Sequence, residues 1–220
     1  MPLLSDALHR RGTRMVSICV PCRDMLHSGF AFDLARLIKA CVELDIATDL
    51  RFDMGTVISN QRESLLRDAI ASGSTHVLWL DSDMMFPPDT LQCLLRHDLP
   101  VVAGNYATRQ APHKTVAYRD VSDWSSYIVH GDDDPPLERA QAVGMGCMLV
   151  QLAAIGNLPR PLFQTRWQAE SGDYLGEDFV FCELLRAHGI DIMIDMELSR
   201  RLIHLGTKAF GHGMVRSGLQ

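Results

Sequence analysis

Short apolar runs alternate with helix-like periodicities along the first hundred residues of the chain. Four runs predict strands, most of them apolar throughout, as is typical of strands covered on both faces: residues 15–20, 48–52, His76–Leu80 and Val101–Ala103. Apolar residues spaced by three and four positions predict helices between them, with stripes at Leu34, Leu37, Ile38 and Cys41 and at Leu65, Leu66, Ala69 and Ile70. This alternation over residues 15–104 indicates βαβ units and a mostly parallel sheet.

Turn and capping residues predict where these elements begin and end. Ser59 is placed to cap the second helix and Gly73 to end it. Two prolines introduce a short helix over residues 87–95, and the polar segment 106–138 predicts hairpins or a mobile excursion. The remaining chain predicts a strand over 142–150, a helix over 177–188 that ends at Gly189, and a last strand over 191–194. The predicted fold class is α/β, with a mostly parallel central sheet flanked by helices.

Length and composition narrow the class of protein. The 220 residues favour one large domain over 1–220, and 47% hydrophobic with 22% charged residues excludes a disordered chain. The 27 acidic and 21 basic residues give a net charge of −6, which argues against a protein whose main function is to bind nucleic acid. No run approaches the roughly 20 apolar residues that cross a bilayer, and no secretory signal is recognisable. We therefore expect a soluble cytoplasmic protein, with peripheral docking on a membrane left open.

The six cysteines lack the spacings of a disulfide framework and indicate reduced thiols. Cys19 and Cys22 form a CxxC pair at a strand end, where a redox motif would also lie. No second pair completes a zinc site, so redox or zinc use is the minor alternative for this segment.

Acidic residues follow the predicted strand His76–Leu80 directly, in the sequence Asp81-Ser82-Asp83. Ligands of open α/β sheets bind beyond the carboxyl ends of the strands. Two carboxylates one residue apart can converge there on Mg²⁺ or Mn²⁺, with phosphates completing the shell. An ordinary polar turn explains the same residues, so this motif alone does not decide a function.

Two further candidates lie in the second half of the chain. Glu177 and Asp178 follow Gly176 at the start of a predicted helix, where acids either favour the helix N-terminus or supply a general base. His204 follows the last predicted strand, in a turn before Leu205 and Gly206, where a neutral imidazole could complete a metal site.

Taken together and in order, these motifs resemble the family-2-like glycosyltransferases of the GT-A fold, in particular their compact bacterial and phage forms. The resemblance covers roughly residues 15–210. Arg23 and Asp24 depart from it, because the family usually has tyrosine and asparagine there. The matching segments are Val20-Pro21-Cys22-Arg23-Asp24, Ser59-Asn60-Gln61-Arg62, Leu80-Asp81-Ser82-Asp83-Met84, Val143-Gly144-Met145-Gly146-Cys147-Met148-Leu149, Gly176-Glu177-Asp178 and His204-Leu205-Gly206.

The resemblance implies a metal-dependent enzyme that moves a sugar from a nucleotide-sugar donor to an acceptor hydroxyl. It implies that Asp83 and His204 hold Mn²⁺ or Mg²⁺, and that Asp81 supports the ribose or the metal. Asp178 would be the general base of an inverting reaction, with Glu177 positioning the acceptor or the base. Residues 15–104 would form the nucleotide-binding half and 105–210 the acceptor and catalytic half. The remaining implied donor contacts are Pro21, Arg23, Asp24, Asp53, Arg62 and Gly146.

Two other functions stay open at this point. One is a non-catalytic carbohydrate-binding or assembly module on the same scaffold. The other is a sugar-nucleotide pyrophosphorylase, which would carry a glycine-rich basic loop where this chain has Pro21-Cys22-Arg23-Asp24. The acceptor is equally open: a glycan, a protein, a small molecule or a modified DNA base.

Overall fold

The computed structural model describes residues 14–131, 134–206 and 209–211. Its first half contains β1 (Met15–Cys22), α1 (Ser28–Glu43), β2 (Ala47–Met54), α2 (Ile58–Ala71), β3 (His76–Leu80), β4 (Met84–Met85), α3 (Thr90–Leu95) and β5 (Val101–Ala103). Its second half contains β6 (Ala117–Tyr118), β7 (Leu137–Ala140), β8 (Ala142–Val143), β9 (Cys147–Gln151), α4 (Leu152–Ile155), β10 (Arg166–Gln168), β11 (Asp173–Leu175), α5 (Glu177–Ala187), β12 (Ile192–Asp195), α6 (Met196–Ser199), β13 (Ile203–Leu205) and β14 (Ala209–Phe210).

Seven strands form the central sheet, in the order β2-β1-β3-β9-β5-β12-β7. The pairs β1–β2, β1–β3 and β5–β12 are parallel, whereas β9 and β7 pair with their neighbours in antiparallel fashion. Five of the seven strands therefore run in one direction. The mostly parallel α/β architecture predicted from the sequence is confirmed.

Helices cover both faces of this sheet. In β1, Val16, Ile18 and Val20 are fully buried on the face that packs against α1 and α3. Cys19, which points to the other face, packs with residues of α2 and α5, including Leu66. Burial on both faces explains why the strands read as continuous apolar runs rather than alternating ones.

Helix ends differ from the sequence expectation at one position and agree at two. Ser59 does not cap α2, because this helix begins at Ile58 with Val57 as its N-cap residue and no side-chain cap. Gly73 and Gly189 follow α2 and α5 with φ of +77° and +71°, the left-handed conformation that glycine adopts without strain.

Two predicted elements in the second half are corrected. The single strand expected over 142–150 is divided into β8 and β9, with Gly144 and Gly146 in the break. The strand expected over 191–194 is present as β12, but β13 follows it, and His204 lies in β13 rather than in a turn. Within the polar segment 106–138, β6 pairs with β8 as a short antiparallel ladder.

Among the described residues, no helix has the length and apolar character needed to cross a bilayer. The longest of these helices, α1, has 16 residues and carries charged side chains.

Candidate active site

A cavity of about 360 Å³ opens at the carboxyl ends of β1, β2 and β3. We call it the strand-end cavity. This is the edge of an α/β sheet where ligands bind, and its volume suits a small-molecule site. Its lining residues are Pro21, Cys22, Arg23, Gly55, Thr56, Ile58, Gln61, Asp81, Ser82, Asp83, Arg109 and His204.

A tight turn carries the two aspartates into this cavity. The amide of Met84 donates to the carbonyl of Asp81 over 3.1 Å, and the amide of Asp81 donates to the carbonyl of Gly146 in the neighbouring segment over 3.1 Å. Behind the turn, β4 pairs with β13, and Met84 and His204 face each other in register. This pairing brings His204, from near the end of the described chain, next to Asp83.

His204 and Asp83 form the part of the cavity that best suits a divalent cation. Nδ1 of His204 lies 3.0 Å from the carbonyl oxygen of Ala107, which can only accept, so Nδ1 carries a proton and Nε2 is left to face Asp83. Nε2 lies 3.5 Å from Oδ2 of Asp83. Two ligand atoms that are each about 2.1 Å from one cation lie about 3–3.5 Å apart, so this pair fits a shared Mg²⁺ or Mn²⁺.

Charge around Asp83 favours its ionised form. Burial by itself raises the pKa of Asp83, but the hydrogen bond and charge of His204, together with the charge of Arg109, outweigh it and lower this pKa below its usual value. Within residues 14–131, 134–206 and 209–211, no three His, Cys, Asp or Glu side chains converge as a complete metal site. Asp83 and His204 would thus need phosphate and water oxygens to complete the shell, as is usual for Mg²⁺.

The side chain of Arg62 connects the acidic motif after β3 with the acidic motif at the start of α5. Its side chain is almost completely buried, with 1% of the residue exposed. Nη2 lies 3.1 Å from Oδ1 of Asp81, and Nη1 lies 3.3 Å from Oε1 of Glu177. Burial raises the pKa of Asp81, and the charge of Arg62 opposes that rise. The guanidinium therefore ties the turn after β3 to the start of α5.

Asp178 lies in a second cavity, of about 310 Å³, which we call the helix cavity. Burial, followed by repulsion from Glu177, raises the pKa of Asp178 to about 6. Such a carboxyl group is ionised at neutral pH yet basic enough to accept a proton. The helix cavity is lined by Tyr106, Thr108, Arg109, Gln110, Val116, Tyr118, Gly144, Asp178, Phe179 and His204.

Tyr106 explains the glycines between β8 and β9. Its buried hydroxyl accepts a hydrogen bond from the amide of Gly146 over 3.0 Å, and its ring packs edge-on against His204 with centroids 5.2 Å apart. A Cβ atom at Gly144 or at Gly146 would lie 2.6 Å from that hydroxyl. Both positions therefore need glycine for Tyr106 to keep the place in which its ring packs against His204.

The residues predicted from the sequence fall into two groups in the structure. Pro21, Arg23, Asp81, Asp83 and His204 line the strand-end cavity, and Asp178 lines the helix cavity. The other predicted residues are not among the lining residues of either cavity: Asp24, Asp53, Arg62, Gly146 and Glu177.

Sequence reasoning missed three residues that the structure brings to the site. Gln61 donates to the carbonyl of Cys22 over 2.7 Å and lines the strand-end cavity. Arg109 and Tyr106 come from the polar segment 106–138, which carries no motif that marks them. Gln61 could have been found, because it directly precedes Arg62 in a segment that already matched.

Comparison with solved structures identifies proteins of similar fold. A197 from STIV matches with 17% sequence identity and a TM-score of 0.55, over 90% of this chain and 93% of that protein. The sequence matches no protein-family profile and no curated protein. The α/β fold expected from the sequence is confirmed, and a match of such low identity shows likeness of fold alone.

Two further matches have lower TM-scores. A glycosyltransferase involved in the glycosylation of the major capsid of PBCV-1 has 11% identity and a TM-score of 0.39, over 65% of this chain and 63% of that one. A mutant of Drosophila β1,4-galactosyltransferase 7, in complex with manganese, UDP-Gal and xylobiose, has 12% identity and a TM-score of 0.49, over 90% of this chain and 70% of that one.

Proposed function

We propose that this protein is a metal-dependent glycosyltransferase that moves a sugar from a nucleotide-sugar donor to an acceptor hydroxyl. One observation carries the proposal: the strand-end cavity holds Asp83, the helix cavity holds Asp178, and His204 and Arg109 line both. A carboxylate suited to hold a cation thus lies in one cavity, and a carboxylate suited to act as a base lies in the adjoining one. A metal-dependent, inverting sugar transfer uses one of each, on opposite sides of the reacting carbon.

The donor occupies the strand-end cavity in this proposal. Pro21 and Arg23 line it at the end of β1, and Asp81 supports the ribose or the metal. Arg62 acts as a positioning residue, because its guanidinium is buried and contacts Asp81 rather than the open cavity. Asp24 and Asp53 remain candidate contacts at the periphery of the nucleotide.

Asp83 and His204 would hold Mn²⁺ or Mg²⁺, which would supply Lewis-acid stabilisation of the negative charge that develops on the departing nucleoside diphosphate. Tyr106 and the carbonyl of Ala107 keep the imidazole of His204 in the orientation that directs Nε2 toward Asp83.

Asp178 removes the proton from the acceptor hydroxyl. Its raised pKa, about 6, suits a base at neutral pH because the ionised form prevails and still binds a proton well. Attack from the helix cavity, opposite the departing diphosphate, inverts the anomeric carbon. Glu177 is held by Arg62 and raises the basicity of Asp178 by repulsion, so it positions and tunes the base.

Thermal denaturation with a panel of nucleotide sugars tests the donor site. We expect one class among UDP-, GDP-, CMP- and dTDP-sugars to raise the melting temperature in the presence of Mn²⁺, because a ligand that binds only the folded state stabilises it. The shift should disappear in Asp83→Ala and persist in Glu170→Gln, a control at an exposed acid. No shift with any nucleotide or metal would contradict the proposal and favour a carbohydrate-binding module.

Product analysis separates the enzyme classes. A transferase given an acceptor converts the nucleotide sugar to a nucleoside diphosphate (or a CMP-sugar to CMP), whereas a pyrophosphorylase cleaves it only with added pyrophosphate, to a nucleoside triphosphate and a sugar 1-phosphate. We expect the nucleoside diphosphate, formed together with a glycosylated acceptor and without added pyrophosphate.

A further inference from the structure

Arg109 stands between the two cavities on a loop that is closed at its base. Ala107 and Thr115 form an isolated antiparallel bridge, and the amide of Thr108 donates to the carbonyl of Lys114 over 2.7 Å. Arg109 directly follows this paired base, which fixes the place of its backbone relative to the site. Its side chain lines both the strand-end cavity and the helix cavity.

The guanidinium of Arg109 binds the same carboxylate oxygen that faces His204. Nη1 lies 2.8 Å from Oδ2 of Asp83 and 3.4 Å from the carbonyl oxygen of Leu205. Nε2 of His204 lies 3.5 Å from that same Oδ2. The positive charge of Arg109 thus lies against Oδ2 of Asp83, the oxygen that would bind the metal ion in the proposed function.

We infer that Arg109 holds Asp83 until a divalent cation arrives, and then turns to the diphosphate of the donor. A cation on Oδ2 and a guanidinium on the same atom repel each other, so binding of the cation weakens the Arg109 contact. The side chain is 48% exposed, which makes this ion pair easy to break and leaves the arginine free to move. Arginine suits the second role because its planar donors match phosphate oxygens.

This inference rests on the proposed function, since it assigns Arg109 to the same donor site. It assigns a donor-binding residue that no motif in the sequence indicates. It also accounts for the position of Arg109 at the wall shared by the two cavities, where the departing diphosphate would lie.

Titration with Mn²⁺ alone tests the first step. Removing Arg109 removes the competitor for Asp83, so Arg109→Gln should bind Mn²⁺ about two- to fivefold more tightly than the wild type, measured by electron paramagnetic resonance of the free ion. Arg109→Lys keeps the charge and should stay near the wild type. Arg139→Gln is the matched control, because Arg139 forms an exposed ion pair with Asp191 over 2.6 Å, away from both cavities.

Titration with nucleoside diphosphates at saturating Mn²⁺ tests the second step. With UDP, GDP, CDP, ADP and dTDP as probes, Arg109→Gln should bind the preferred diphosphate about tenfold more weakly, because a charged hydrogen bond to phosphate is lost. Arg139→Gln should bind it as the wild type does.

The opposite results overturn the inference. Mn²⁺ affinity that is unchanged or lower in Arg109→Gln excludes competition for Asp83, and unchanged diphosphate affinity excludes the phosphate contact. If the wild type and Arg139→Gln bind neither Mn²⁺ nor any diphosphate, the proposed function fails and the inference fails with it. If they bind both and Arg109→Gln behaves identically, the inference fails alone.

Discussion

The guanidinium of Arg62 lies 3.1 Å from the carboxylate of Asp81 in a position that is almost closed to solvent. The same guanidinium lies 3.3 Å from Glu177, so one buried cation holds two acids from distant parts of the chain. We expect Arg62→Met to lower the free energy of unfolding by about 3 kcal/mol at pH 7, because it leaves the buried carboxylate of Glu177 and the partly buried one of Asp81 without their shared cation. Denaturant titration measures this loss.

Lowering the pH should reduce the loss of unfolding free energy caused by Arg62→Met. Without Arg62 the pKa of Asp81, already raised by burial, rises further, so Asp81 takes up a proton as the pH falls and the unpaired charge disappears. The difference between wild type and Arg62→Met should therefore shrink from pH 7 to pH 5. Arg166→Met is the control, because Arg166 pairs with Glu183 at the surface and its loss should cost less than about 1 kcal/mol.

Asp178→Asn should abolish transfer and stabilise the fold. The pKa of Asp178 in the folded protein is raised to about 6, so folding favours its protonated form and ionisation destabilises the native state as the pH rises. The variant should gain about 1–3 kcal/mol at pH 7 and little at about pH 3.5, below the ordinary pKa of roughly 3.9, where Asp178 is protonated in both the folded and the unfolded chain. Unfolding at the two pH values measures the gain, with Glu170→Gln as control.

The pH dependence of turnover follows from the same carboxyl group. A base with a pKa of about 6 is active when ionised, so kcat/KM for the acceptor should fall about tenfold per pH unit below pH 6. The donor and Mn²⁺ are kept at saturating concentrations, so that the pH dependence of their binding does not contribute to the measured kcat/KM. A rate that stays constant from pH 7 to pH 5 would contradict the assignment of Asp178 as base.

The glycines beside Tyr106 give a prediction about packing. Gly144→Ala places a Cβ 2.6 Å from the hydroxyl of Tyr106 and should destabilise the protein by about 1–3 kcal/mol. Tyr106→Phe removes that oxygen, so Gly144→Ala should destabilise the Tyr106→Phe variant less than it destabilises the wild type. Gly146→Ala should still destabilise the Tyr106→Phe variant, because its Cβ would also lie 2.7 Å from the ring atom Cζ.

A double-mutant cycle by thermal denaturation measures these couplings. Gly156→Ala is the control, because its Cβ would meet only ordinary contacts, the nearest 3.6 Å away. Equal costs of Gly144→Ala in the presence and absence of the hydroxyl would show that Tyr106 does not require this glycine.

The sequence by itself determined the elements whose signal is local. The apolar run of β3 and the stripe of α1 report burial directly, because a strand covered on both faces leaves a continuous apolar run and a helix with one covered face leaves apolar residues three and four positions apart. Asp81, Asp83 and Asp178 could be found for the same reason, since each adjoins the end of a recognisable element.

Tertiary structure alone decided which distant residues meet. Antiparallel insertion of β9, the register of β13 against β4 and the burial of Arg62 depend on pairings between segments far apart in the chain. Arg109 reaches Asp83 across 26 positions from a polar loop that has no period of its own. Contacts of this kind arise when the whole chain packs together, so no local sequence pattern predicts them.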